Sequence, residues 1–172
     1  MSTADLCDKF GHEAQVCAPL VSFGGRRAAW GRIATVCTLE DAALLREVLG
    51  QPGEGRILVA DAGGSQRVAV LGDRMAQLGR ANGWQGVVIH GAVRDIEQLA
   101  AIDFAVFALG RVPLRGGSAG IGERGLEVAF GGVAFKPEDF VCADADGIVV
   151  VPCAGDAGRF MLGRSWPEPC PH

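Results

Sequence analysis

Two short apolar runs, Val68–Leu71 and Val87–Ile89, bracket a helix-like stretch and leave this chain few ways to fold. The first run ends in Gly72-Asp73. The second leads to Arg94-Asp95, in the spacing Asp73-x20-Arg94-Asp95. That length accommodates a strand, a turn, a helix, a second strand and a second turn. Such a βαβ unit sets its strands parallel and delivers both turns to the same edge of the sheet. Asp73 and the Arg94-Asp95 pair, distant in sequence, then share a crevice at the carboxyl ends of the strands, where open α/β sheets bind ligands.

The flanking sequence predicts a mixed α/β chain. Ser2–Phe10 reads as a short capped helix that Gly11 ends. Residues 12–31 read as loop, and Arg32–Cys37 as a β-branched, alternating strand. Thr38-Leu39-Glu40-Asp41 fits a capping box ahead of Leu44, Leu45, Val48 and Leu49, which recur at helical spacing. Arg56–Ala60 is an apolar strand, and Asp61–Ser65 a tight connection. The central helix carries Met75, Leu78 and Gly79 on one stripe and ends at Asn82-Gly83. Ile96–Ala101 predicts a short helix, Phe104–Leu109 a strand, and residues 110–125 a glycine-rich loop. Leu126–Phe130, Val133–Phe135, Phe140–Ala143 and Ile148–Val151 predict antiparallel β-structure. Residues 1–152 thus form one α/β domain, and 153–172 a C-terminal tail or surface helix.

Composition narrows the function classes. With 172 residues, 49% of them hydrophobic, the chain can bury a core and is not of the disordered class. A net charge of −4 argues against nucleic acid as a partner, since phosphate binding needs a basic face. No apolar run approaches the roughly 18 residues of a membrane span. The six cysteines show no C-x-x-C spacing, and no secretion signal opens the sequence. They read as reduced, buried thiols of a cytosolic protein.

Each crevice residue has a structural reading of its own. Asp95-Ile96-Glu97-Gln98 is close to a capping box, so Asp95 can serve as a helix cap. Arg94 can be a surface charge. Gly72 can ease a turn, and Asp73 can favour a helix N-terminus. His90 ends a strand and reads as structural, because general-base geometry must be met as well as pKa. Asp61–Ser65 resembles a phosphate cradle, but no G-K-[ST] follows. Asp144 and Asp146 fit a tight turn.

Asp73-x20-Arg94-Asp95 also resembles the signature of the class II 4-hydroxy-4-methyl-2-oxoglutarate aldolases, within the family named after regulator of ribonuclease activity A. The resemblance runs along most of the chain. It includes F-G-G-R at Phe23–Arg26, G-x-G-R-I-L-V at Gly53–Val59, D-A-G-G-S at Asp61–Ser65, G-x-G-E at Gly120–Glu123, F-G-G-V at Phe130–Val133 and A-D-x-D-G-I at Ala143–Ile148. It implies a layered α/β/β/α sandwich of the swivelling phosphohistidine-domain type, assembled as a homotrimer. It further implies that Asp95 is the one direct protein ligand of a divalent cation, Mg²⁺ or Mn²⁺, with water and substrate completing the shell. Arg94 then anchors a small 2-oxo acid through its planar fork and offsets charge on an enolate. Backbone N–H groups of Gly72-Asp73-Arg74-Met75 bind the pyruvyl carboxylate, and Asp73 positions a water or takes its proton. The chain departs from the family in Arg74-Met75 where members carry Leu-Leu, in Ala42 for Asn, and in Arg124-Gly125 for Arg-Asp. The family's C-terminal acidic partner from an adjacent subunit has no clear counterpart here; Glu168 lies in a Pro-rich stretch.

Three functions follow. The first is a divalent-metal lyase that cleaves 4-hydroxy-4-methyl-2-oxoglutarate or a related 4-hydroxy-2-oxo acid and decarboxylates oxaloacetate. Its metal dependence agrees with the lysines, since Lys9 and Lys136 are the only two and neither is placed for an imine. The second is a non-catalytic trimeric inhibitor that binds a ribonuclease. Regulators of that kind lack the Gly-Asp and Arg-Asp pairs. The third, a quinone-biosynthesis methyltransferase, is disfavoured by the lack of a G-x-G-x-x-G nucleotide loop.

Overall fold

A computed structural model describes residues 1–163. Helix α1 (Thr3–Phe10) is closed by a capping box in which Ser2 and Asp5 satisfy each other's backbone N–H groups. A 3-10 turn (Gly11–Glu13) leads to β1 (Gln15–Cys17) and β2 (Val21–Ser22), followed by β3 (Ala29–Cys37) and α2 (Ala43–Leu49). Next come β4 (Ile57–Asp61), β5 (Ala69–Leu71), α3 (Asp73–Ala81), β6 (Gly86–Val93), α4 (Ile96–Ala100) and β7 (Ala105–Arg111). The remainder is β8 (Glu123–Arg124), β9 (Val128–Phe130), β10 (Val133–Phe135), β11 (Phe140–Ala143), β12 (Ile148–Val151) and α5 (Asp156–Leu162).

The 12–31 stretch is not simply loop. It contains two short edge strands and the start of β3, which begins three residues before the predicted Arg32. Helix α2 also departs from its predicted capping box: Ala42 occupies the N-cap without a side-chain bond.

Ten strands join one sheet in the order β1-β12-β11-β3-β4-β6-β7-β2, with β5 added to β6 and β8 to β3; β9 and β10 form a separate hairpin. The layered α/β/β/α sandwich of swivelling phosphohistidine-domain type is therefore corrected to a mixed α/β fold built on one large sheet. The reason lies in β3. Nine residues long, it pairs antiparallel with β11 through Ala29–Arg32 and parallel with β4 through Ile33–Cys37. One strand thus fuses the antiparallel and parallel halves into a continuous ladder.

The parallel centre explains the apolar runs. Along β4, Leu58 and Ala60 face one core, with Leu45 and Leu49 of α2, Ala76 of α3 and Leu99 of α4. Ile57 and Val59 face the other, with Phe130 and Phe135 of the hairpin. A strand buried on both faces has no polar side to alternate with. Gly131 and Gly132 make the hairpin turn with φ of 61° and 79°, the left-handed pair that a two-residue connection needs. A third cluster packs α1 and α5 on β11 and β12 through Leu6, Phe140, Val151, Ala157 and Met161.

Candidate active site

Strands β5 and β6 are parallel neighbours, with Leu71 paired to Val93, so both chains leave the sheet side by side at their carboxyl ends. Gly72 follows Leu71 and Arg94 follows Val93. The Arg94 N–H donates to the Leu71 carbonyl at 3.0 Å, which closes this junction. The βαβ geometry predicted from spacing is the observed one.

Asp95 adopts a left-handed conformation, φ 59° and ψ 46°. Aspartate tolerates that region better than most residues, yet it is sparsely populated and costs on the order of 1 kcal/mol. Asp95 stands at the N-cap of α4 but makes no side-chain cap bond. Its carboxylate turns towards the first turn of α3 instead. Oδ2 lies 3.4 Å from the Asp73 backbone N and 3.4 Å from Nε of Arg94. The helix-cap reading of Asp95 is thus not what the structure shows.

Gly72 is the N-cap of α3, with φ −137° and ψ −172°. Any residue can adopt that extended backbone, so turn-making does not account for the glycine. Space does: a Cβ there would lie 2.5 Å from Asp95 Oδ2 and 3.3 Å from Arg94 Cγ. Asp73 accepts the Arg74 N–H through Oδ1 at 2.7 Å. Its Oδ2 has no hydrogen-bond partner among the described residues. The Met75 N–H likewise finds no acceptor among them, so one donor of the helix's first turn is open. The Met75 side chain, by contrast, is buried in the core beneath α3, and that of Arg74 is exposed.

The structure therefore brings together Gly72, the Asp73 N–H, Arg94 and Asp95, with Arg74 at the rim and Met75 contributing only backbone. Among the described residues no three His, Cys, Asp or Glu side chains form a metal cage. The donor set at this point is one carboxylate under an open glycine, and it suits a hard cation that keeps most of its waters. Asp95 is the residue that would hold it.

Asp41 carries a role that the sequence reading did not assign. The residue is only 3% exposed. It accepts N–H groups from Ala43 at 2.9 Å, Ala119 at 2.6 Å and Gly120 at 3.2 Å. Burial pushes its carboxyl up, but these donors and the Ile121 N–H outweigh that and hold it below the ordinary 3.8. Thr38 adds a bond from Oγ1 to the Ile121 carbonyl at 2.6 Å. The loop so gripped runs back to β5, where Gly116 N–H donates to Ala69 O and Ala69 N–H to Leu114 O. A lone acid ahead of a helix, with a glycine-rich loop far downstream, was the only available signal.

His90 is structural in its contacts. Nδ1 is 2.9 Å from Asp61 Oδ1, and the ring stacks on Phe130 with centroids 4.7 Å apart. Asp144 accepts both the N–H and the hydroxyl of Thr3 at 2.7 Å, which ties α1 to the β11–β12 turn. Glu168 and Cys170 lie outside the described residues. No helix among those described is long and apolar enough to cross a membrane.

Known proteins resemble this chain in sequence and in fold. A protein of Alkalilimnicola ehrlichii bearing the name "Putative 4-hydroxy-4-methyl-2-oxoglutarate aldolase" is 50% identical over 149 residues, spanning 86% of this chain and 92% of its own. A crystal structure from Geobacillus kaustophilus described as an S-adenosylmethionine:2-dimethylmenaquinone methyltransferase superposes with a TM-score of 0.86 at 47% identity, over 88% of this chain and 95% of that one. The RNA-processing inhibitor RraA from Thermus thermophilis superposes with a TM-score of 0.85 at 39% identity, over 88% and 93%. With residues 3–150 matching the RraA-like (Aldolase/RraA) family, the chain belongs to that family.

Proposed function

We propose that the chain is a divalent-cation-dependent lyase of the class II aldolase kind. It acts on 4-hydroxy-4-methyl-2-oxoglutarate or a related 4-hydroxy-2-oxo acid, and on oxaloacetate. One observation carries the reading: the Asp73 N–H and the Arg94 side chain both approach the Asp95 carboxylate at 3.4 Å, beneath a glycine whose missing side chain keeps the space open.

Mg²⁺ or Mn²⁺ held at Asp95 supplies Lewis-acid polarisation of the substrate's keto group. The chain's own groups do the rest. The first turn of α3, with the Met75 N–H open, receives the pyruvyl carboxylate at the positive end of the helix. Arg94 holds that end of the substrate and lays positive charge beside the oxygen on which the enolate forms. Asp73, through an Oδ2 that has no partner among the described residues, takes the proton of the C4 hydroxyl, directly or through a water, as the C3–C4 bond breaks. The electrons left on C3 then take up a proton to give pyruvate. In oxaloacetate the group lost from C3 is CO₂, and the same enolate results.

The test is pyruvate release from both substrates, with Mg²⁺ and with EDTA. EDTA abolishes it, and Asp95→Ala or Arg94→Ala lowers kcat/KM by about 10²-fold or more. Wild-type turnover in Asp95→Ala removes the ligand assignment. The likeness to the Thermus RNA-processing inhibitor supports a second reading, a ribonuclease regulator. Tight ribonuclease binding without pyruvate release would favour it. We further place the protein in the cytosol as a homotrimer. Exposed Leu39, Leu114 and Ile121 on neighbouring loops support apolar contact between subunits, and native mass measurement checks it.

A further inference from the structure

Several basic side chains on this chain have acidic partners: Arg26 with Asp103, Arg32 with Glu138, Arg67 with Glu40, Arg124 with Glu47. Two beside the candidate site do not. Arg74 and Arg111 are both exposed, and neither side chain has a hydrogen bond or ion pair among the described residues. They flank Arg94 from opposite sides. Arg111 ends β7, and the parallel register pairs it with Val93, the residue before Arg94. The Val112 N–H bond to the Val93 carbonyl, 3.0 Å, fixes that placement. Arg74 is the second residue of α3, and side chains on a helix lean towards its N-terminus, here the end that carries Gly72 and Asp73.

Two exposed guanidiniums without an acidic partner among the described residues, standing beside the candidate site, are available to an anion from outside. The Asp73, Arg94 and Asp95 groups are already committed to the 2-oxo acid end of a substrate. We propose that Arg74 and Arg111 form a second anion seat, which takes the distal carboxylate of a dianionic 2-oxo acid and sets the enzyme's preference for dianionic over monoanionic substrates. This rests on the lyase reading for its 2-oxo acid head group. Guanidinium suits the task because its planar fork meets a carboxylate with two parallel hydrogen bonds.

The test compares two ligands with the same head and chain length, 2-oxoglutarate and 2-oxopentanoate, by calorimetry on the full chain with Mg²⁺. The wild type binds the dianion at least about tenfold tighter, the size of one good charge-assisted contact. Arg111→Ala and Arg74→Ala each shrink that ratio, the double variant brings it near one, and Arg111→Lys restores part of it. Arg80→Ala, on an exposed position at the far end of α3, leaves the ratio at its wild-type value. A ratio near one in the wild type, binding of neither ligand, or a ratio the variants do not move overturns the seat. Pyruvate release is assayed in parallel. Lyase activity with an unmoved ratio discards the seat and keeps the lyase; a collapsing ratio without lyase activity does the reverse.

Discussion

A Cβ on Gly72 would lie 2.5 Å from Oδ2 of Asp95, so the bare backbone of one residue decides where the carboxylate of the other rests. Gly72→Ala is compatible with the local backbone, whose φ is −137°. The substitution must instead push the Asp95 carboxylate off the Asp73 N–H. Thermal unfolding should therefore shift by no more than about 1 kcal/mol. Pyruvate release and cation affinity should each fall at least about tenfold, in line with the sensitivity of catalytic geometry to small displacements. Unchanged turnover in a folded Gly72→Ala protein would sink the claim.

Asp41 should give the protein an acid-sensitive loop. Its carboxyl is held below the ordinary 3.8 in the folded chain by backbone N–H groups. A depressed folded value means that its contribution is fully present above the unfolded pKa and is lost as pH falls through the folded one. Urea midpoints of wild type and Asp41→Asn should differ near neutral pH and converge below about pH 3.8. Asp144, depressed through its Thr3 bonds despite burial, loses its contribution in the same window and should be left intact in that comparison. Midpoints that stay equally far apart at every pH would contradict the assignment.

His90 should matter to stability more than to chemistry. The ring is stacked on Phe130 and bonded to Asp61. His90→Ala removes both contacts and should cost about 1–3 kcal/mol of unfolding free energy. Its kcat/KM, measured at a temperature where the variant stays folded, should remain within about threefold of wild type. A loss of about a hundredfold would make the imidazole a participant.

Cys17 should be silent towards thiol reagents. Burial pushes its thiol up to about 11, so almost no thiolate exists at neutral pH. Cys37 is exposed, but partial burial and the nearby Asp61 and Glu123 carboxylates push its thiol up as well. Mass mapping after iodoacetamide at neutral pH should show slow labelling of Cys37 and none of Cys17 until the protein is unfolded. Rapid native labelling of Cys17 would show that the second core opens.

The central βαβ unit was legible because its signals are local. Each of its strands carries a short apolar run, and its helix opens at Asp73 after Gly72 and closes at Asn82. The short strands β1 and β2 were not, because three and two residues are too few to show a period. The sheet's continuity through β3 was hidden for a different reason. Nothing in Ala29–Cys37 announces that its two halves have different partners, since those lie at Phe140–Ala143 and Ile57–Asp61. Asp95 shows how a correct local rule can fail. D-x-x-Q favours a cap, but the left-handed turn at the strand's end aims the carboxylate at Asp73. Asp41 was likewise matched to a capping pattern, while most of its bonds reach Ala119 and Gly120 across the fold.

Strand β3 also governs how the molecule comes apart. Neither the N-terminal parallel region nor the C-terminal antiparallel region owns that strand, so a cut chain cannot give two self-sufficient fragments. Hydrogen exchange at Ile33 and Val141, on either side of the junction, should report a single cooperative opening rather than two.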